Sequence, residues 1–551
     1  MLKIAQCAGP FVQTLNLRGH SQIKPSALLA ISSALSGVPN PTADTMALDR
    51  PLTTTQLTTI NLVGCSALTT QSLRFLLFRS PGVQHLYLRG LDCVTNSTLI
   101  DDIGPHCQML ITLDIRRCAH VRGIALANFA IRYLQRMVAT NRPSPLKTLK
   151  ASGLRGVNAE VLRQIGRAFP LLQVLDLSYC RDASDDGFAA FVEWPASTSP
   201  RSAFHSSMNT PEEEDWTHFH TSVELTAREA GLDPGDPSTH RRRVTALRHL
   251  NVSGCRRISD KMCTAIAYCV PQLEFLEMAA VSSELKDDGL LRLFRTVPRI
   301  RKVDLEDAAD ITDAILDCLV PTPRTPPENG RVVTKQDEEP QPGEMLEHLV
   351  ISYAGLISPA AMGRAVKGCK QLRVLEADNT RITGSVIRDF VSRRRHREKS
   401  LLLSETPVNT LEQPGSEIVA IDCRGVSEEC IRDVQAYTRP RRGWRGWEAR
   451  ELAYEDERSV GVMDPLTDAL GAPLIGQDEC DSHRIVVKSF HGWVSVDAVQ
   501  EQRTKLKGGS GPPGKADIPR WLTHWSLGRR AGLGSNAGTP EEREDRGCVV
   551  Q

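Results

Sequence analysis

No apolar run in the 551-residue chain approaches the ~18 residues needed to span a bilayer, so no transmembrane helix is expected. Aromatic residues are scarce, at 5% of the chain, low for a compact enzyme core. Net charge is nearly absent: 67 Lys and Arg face 66 Asp and Glu, leaving +1 and no global field to attract nucleic acid, so no nucleic-acid partner is expected. The opening Met1-Leu-Lys-Ile-Ala-Gln lacks the sustained apolar stretch of a secretory signal. The 15 cysteines are therefore expected as reduced thiols in the cytoplasm, not as disulfides. No C-x-x-C pair occurs, and Cys480 with His483 has ligand-like spacing but no second pair, so neither a metal nor a cofactor is expected. Residues 437–530 contain no Gly-rich phosphate loop, G-x-S-x-G elbow or H-E-x-x-H helix, and Asp478, Glu479, Cys480, Asp481 and His483 form no catalytic constellation. No catalytic residues are assigned, and the chain is read as a non-enzyme.

What the chain has is leucine in a repeating phrase. Leu57-Thr-Thr-Ile-Asn-Leu-Val-Gly-Cys65 returns as Leu110 to Cys118, Leu172 to Cys180 and Leu247 to Cys255. This L-x-x-L-x-L-x-x-C phrase marks a leucine-rich repeat. Further units begin at Val12, Val83, Leu146, Leu273, Ile300, Leu346, Leu372 and Ile418, and those at Leu146, Leu273 and Ile418 lack the cysteine. The tightest spacings, such as Leu57 to Val83 and Leu247 to Leu273, are 26 residues, the length of a strand-turn-helix unit. The expected fold is an α/β right-handed solenoid of twelve such units over residues 1–436.

Period-two alternation sends Leu175 and Leu177 inward and Val174, Asp176 and Ser178 outward. The helices follow with apolar spacing, as in Leu162, Ile165 and Phe169. The cysteines fit as small buried donors. Cys65, Cys118, Cys180 and Cys255 follow strands, while Cys7, Cys107, Cys269 and Cys369 end helices.

Four insertions interrupt the array near 37–56, 196–243, 322–345 and 393–416. They are read as long disordered, solvated loops, with Ser and Thr beside Pro open to phosphorylation. The second carries the acidic run Glu212–Asp215 and the basic triplet Arg241–Arg243; the fourth opens with Arg393–Arg395. Residues 437–530 are expected to cap the solenoid, with a Trp-anchored helical stretch from Arg439 to Asp456 and a strand from Arg484 to Trp493. Residues 531–551 form a flexible tail.

Two surfaces carry candidate function. Strands ~4.8 Å apart give twelve repeats a concave arc of roughly 50–60 Å, which suits a protein partner. Its outward positions begin basic, at Arg18, Arg89, Arg116 and Lys150, continue through Asp176, and finish acidic, at Glu277, Asp304, Glu306, Glu376, Asp378 and Asp422. A charge-graded arc holds one partner in one direction. The second surface is the end of the chain: Cys548-Val-Val-Gln551 matches C-a-a-X, with Cys548 as prenyl acceptor and the terminal Gln favouring farnesyl. One lipid needs a second anchor. Trp521 and Trp525 share a helical face with Ile518 and Leu522, which suits a membrane interface and suits packing on the cap equally.

The repeats resemble those of F-box/LRR proteins, the substrate receptors of SCF ubiquitin ligases, over roughly residues 7–436. The resemblance rests on a Cys before the phrase, the phrase itself, and an Ile/Val-Thr/Ser pair after it. Examples are Cys107-Gln-Met-Leu110 through Cys118, and Leu247 through Cys255-Arg-Arg-Ile258-Ser259. Some members of that family also end in C-a-a-X. The resemblance implies substrate recognition for ubiquitin-dependent degradation, with transfer performed by other subunits. One feature departs from it. The family's F-box, a helical segment before the repeats, has no counterpart here, because the chain starts eleven residues before its first repeat. An SCF adaptor and cullin are therefore expected as partners only if an F-box is supplied upstream. The other reading is a prenylated scaffold unconnected to ubiquitin.

Overall fold

The structure is a computed structural model. It describes residues 9–37, 54–195, 216–322, 340–402, 415–434, 437–439 and 485–489. Its organising element is one parallel sheet. The strands in chain order are β1 (Thr14–Asn16), β2 (Thr59–Asn61), β3 (His85–Tyr87), β4 (Thr112–Asp114), β5 (Thr148–Lys150), β6 (Val174–Asp176), β7 (Thr221–Thr226), β8 (Thr239–Val244), β9 (His249–Asn251), β10 (Phe275–Glu277), β11 (Lys302–Asp304), β12 (His348–Val350), β13 (Val374–Glu376), β14 (Glu417–Ala420), β15 (Thr438–Arg439) and β16 (Ile485–Ser489). All but β7 and β8 join the sheet, which runs in chain order from β1 to β14 and closes β14-β16-β15. With helices between the strands, this is the leucine-rich-repeat solenoid that the spacing predicts.

The register aligns the inward fourth position of every repeat. Leu15, Ile60, Leu86, Leu113, Leu149, Leu175, Leu250, Leu276, Val303, Leu349, Leu375 and Ile418 form one ladder. Each is buried, at roughly 1.5–3 kcal/mol per side chain. Leu162, Ile165 and Phe169 of the helix Ala159–Ala168 and its C-cap are buried against this ladder's core, as their spacing requires.

Adjacent helices are stapled at their first turns. The first residue of one helix, an aspartate, accepts both the backbone and hydroxyl bonds of the next helix's N-cap. Asp185 accepts from Ser259 N and Oγ at 2.9 and 2.7 Å. Asp287 accepts from Thr312 at 2.9 and 2.5 Å, and Asp313 from Ser358 at 2.6 Å for both. Each carboxylate thus serves its own helix dipole and caps its neighbour.

The eighth position of every repeat turns the chain out of the strand with positive φ. Gly fills it in five repeats: Gly19, Gly64, Gly90, Gly153 and Gly254. Elsewhere Arg117, Tyr179, Ala280, Asp307, Tyr353, Asn379 and Asp422 adopt it.

This turn corrects the last repeat. Glu376 pairs with Val419 and Leu375 with Ile418, so Ile418 is the fourth position of its unit and not the first. The unit then begins at residue 415, and Cys423 occupies the cysteine position that this repeat was expected to lack. Asp422 sits on the turn, with φ 56°, and not on the strand face.

Two insertion boundaries also differ from expectation. Strand β6 pairs directly with β9, so the 196–243 insertion leaves the sheet unbroken. Residues 216–244 are folded, not a solvated loop: β7 and β8 form an antiparallel hairpin with Arg241–Arg243 on β8. Buried Trp216, Leu225 and Arg243 anchor it, and Arg243 N donates to Val192 O at 2.8 Å. The helix Gly384–Leu402 runs through Arg393–Arg395, so the fourth insertion begins later than expected. Beyond residue 436, β16 falls within the expected strand 484–493 and extends the sheet from β14. Apart from 437–439 and 485–489, residues 437–530 lie outside the described residues, Trp521 and Trp525 among them, and so does the tail with Cys548.

Candidate protein-binding face

The third, fifth and seventh positions of each repeat point out of the sheet. Fifth-position Asp or Asn has a local duty first. Oδ1 of Asn61, Asp114, Asp176, Asn251 and Asp304 accepts a hydrogen bond from the backbone N–H two residues on, at 3.0–3.2 Å. This closes the turn into the eighth position. Such a residue offers a partner only what the turn leaves over.

The expected basic end is partly neutralised. The Arg116 guanidinium grips Asp114 through two bonds of 2.9 and 2.7 Å and lies 3.8 Å from Asp176. Asp176 is buried and also accepts from Ser178 Oγ at 2.7 Å. Arg18, Arg89 and Lys150 keep free charges: none has an ion-pair partner among the described residues. Arg18 is exposed, and Arg89 and Lys150 are half-buried.

The acidic positions other than Asp422 lie on or just after β10 to β13. Glu277 is held by Asn251 Nδ2 at 2.6 Å, Lys302 Nζ at 3.0 Å and His249 Nε2 at 3.4 Å. The imidazole and then the ammonium hold its carboxyl down at about 2, against the effect of burial. Glu376 accepts from His348 Nε2 at 2.9 Å, which lowers its pKa. Asp304, Glu306 and Asp378 have no cation within ion-pair reach among the described residues. Burial raises all three carboxyls, and neighbouring carboxylates raise them further: Glu277 and Glu376 act on Asp304, Asp304 and Asp307 on Glu306, Glu376 and Asp422 on Asp378. These groups repel one another across β11 to β13, and an incoming cation relieves that repulsion.

His249, Lys302 and His348 stand beside these carboxylates and were not among the expected face residues. They occupy the third position, and the alternation that selected Asp176 would have selected them too. The residues expected on the face came only from fifth and seventh positions.

No protein-family model and no curated protein matches the chain. Solved structures do. The chain is similar to one in the crystal structure of the Rad7 and Elc1 complex in yeast, at 14% identity and a TM-score of 0.40, over 78% of this chain and 90% of that one. It is similar to an internalin (inlF) from Listeria monocytogenes at 10% identity and a TM-score of 0.36, over 77% and 78% of the two chains. A third is the TLR13–ssRNA13 complex, at 12% identity and a TM-score of 0.31, over 68% of this chain and 40% of that one.

Proposed function

We propose that the chain is a non-catalytic recognition protein whose strand face binds a protein partner, with the acidic stretch on β11 to β13 receiving a basic element of it. The observation that carries this reading is the group Asp304, Glu306 and Asp378. Burial and neighbouring carboxylates raise these three carboxyls against the partial relief that Lys302 gives Asp304 and Lys488 gives Asp378, and a partner's Lys or Arg would stabilise them further. Free Arg18, Arg89 and Lys150 at the other end give that partner a direction.

The finer reading is a substrate receptor for SCF-type ubiquitin-dependent degradation in the cytoplasm. Its support is the F-box/LRR resemblance of the repeats, and ligase adaptor and cullin join only through an F-box supplied upstream. Prenylation at Cys548, with Trp521 and Trp525 as a second contact, would tether the receptor to a membrane. The C-a-a-X end also fits a prenylated scaffold unconnected to ubiquitin.

The test of the face is capture of the native partner by Glu306→Lys/Glu376→Lys/Asp378→Asn; capture equal to the parent chain would remove the assignment. The test of the receptor reading is co-purification of the ligase adaptor with the endogenous protein. Its consistent absence favours the scaffold.

A further inference from the structure

The turns that leave the strands build a second surface on one rim of the sheet. In the repeats of β4, β5, β6 and β9 this rim carries Arg117, Arg122, Arg155, Arg181, Arg256 and Arg257, all exposed. They come from adjacent turns: Arg122 and Arg155 pair across a parallel bridge, as do Ser184 and Arg257. Among the described residues none of these six guanidinium groups has an ion-pair partner. Asp182, the residue after Arg181, spends Oδ2 on Gly156 N at 2.6 Å.

Several arginines outside the rim do find carboxylates. On the helical side arginines pair with carboxylates: Arg364 with Asp317 at 2.7 Å, Arg388 with Asp433 at 3.0 Å, Arg163 with Glu193 at 2.7 Å. A chain with a net charge of +1 has carboxylates enough to pair the rim as well. Six like charges on neighbouring turns ~4.8 Å apart repel one another, a standing cost to the free chain. Arginine fills all six sites, the side chain suited to bidentate carboxylate binding. At the centre Tyr179 is 62% exposed. Its ring lies over Gly254 so closely that a β-carbon there would meet Cδ1 at 2.6 Å, which holds the ring flat. An exposed, fixed Tyr among arginines has the composition of an interface hot spot.

We propose that this rim docks a short acidic stretch of a partner protein. The strip spans four turns, roughly 15–20 Å, the length of five or six extended residues. It ends in charge of the opposite sign, at exposed Asp92 on one side and exposed Asp307 and Asp310 on the other. Those flanks repel a long polyanion or an anionic bilayer, and a short acidic segment fits between them.

The experiment is fluorescence anisotropy of the full chain with a labelled oligoglutamate peptide at low salt. Arg155→Glu/Arg181→Glu/Arg256→Glu should weaken binding roughly tenfold or more, and the same three changed to Gln should lose an intermediate amount. Arg364→Glu/Arg388→Glu should leave it unchanged, and so should Glu306→Gln/Glu376→Gln, which separates this rim from the strand face. Absence of binding, or equal loss in the helical-side control, overturns the proposal. So does tighter binding of single-stranded RNA or phosphatidylserine vesicles through the same arginines.

Discussion

The thiol of Cys423 donates to the carbonyl of Ala377 at 3.2 Å. It is the same bond that Cys65 makes to Leu17 at 3.1 Å, Cys118 to Leu88 at 3.3 Å, Cys180 to Ala151 at 3.3 Å and Cys255 to Leu177 at 3.2 Å. In each case the ninth-position thiol reaches the sixth-position carbonyl of the preceding repeat. The cysteine therefore ties neighbouring units together beside the turn, where its thiol adds a second donor to a carbonyl that its own repeat already bonds.

These thiols should be inert in the folded chain. Burial pushes Cys180 and Cys255 up to about 12. Iodoacetamide at pH 8 should leave both unlabelled until urea unfolds the chain, as peptide mass mapping will show. Cys255→Ala should cost about 1 kcal/mol, measured by urea unfolding, because the Leu177 carbonyl loses the thiol and keeps its bond from Cys180 N at 3.0 Å.

Gly153→Val should destabilise by about 1–2 kcal/mol through conformation alone. The nearest atom to an added β-carbon is Arg117 Cγ at 3.9 Å, so there is room, but φ is +76°. A shift in the urea midpoint without a change in slope is the expected result.

Arg243 is buried, and none of its guanidinium nitrogens has a hydrogen-bond partner among the described residues. Its compensation is the faces of Phe191 and Trp216, 5.7 and 5.8 Å from Cζ. Burial pulls its pKa down to about 9, with Arg167 adding to the effect. Arg243→Leu should stabilise the hairpin by about 1–3 kcal/mol, read by slower amide exchange across residues 221–244. The sign with pH follows: the unfolded chain holds this proton more tightly, so the parent gains stability as pH rises through about 9 and the variant does not.

Asp304→Asn keeps the Oδ1 that accepts from Glu306 N and removes the charge. A carboxyl raised in the folded state loses stability as pH rises through the window just above the ordinary value of about 4. At neutral pH the variant should therefore have a higher urea midpoint than the parent, and its partner capture should fall roughly fivefold to tenfold. Capture by the parent should also weaken as pH drops into that window.

Most of the solenoid was readable because stacking repeats one burial pattern. Leu175 and Leu177 point inward for the same reason as Leu250 and Val252. The last unit misled because Ile418 and Ile421 are both apolar and three apart, so they pass for the first and fourth positions; the turn at Asp422 makes Ile418 the fourth. The hairpin at 216–244 was hidden because Trp216 and Arg243 are anchored by tertiary contacts, which leave no period in a Ser/Thr/Pro-rich stretch. The charge gradient was legible in sign but not in availability. Arg116 reads as a free cation until Asp114 and Asp176 are seen beside it.

The most direct test of the binding face is zero-length carbodiimide cross-linking of the endogenous complex, followed by peptide mapping. The chemistry joins a carboxylate to a lysine in contact with it. The account expects partner lysines joined to Asp304, Glu306 or Asp378. A partner recovered with cross-links confined to the helical side, and none on these three, would contradict it.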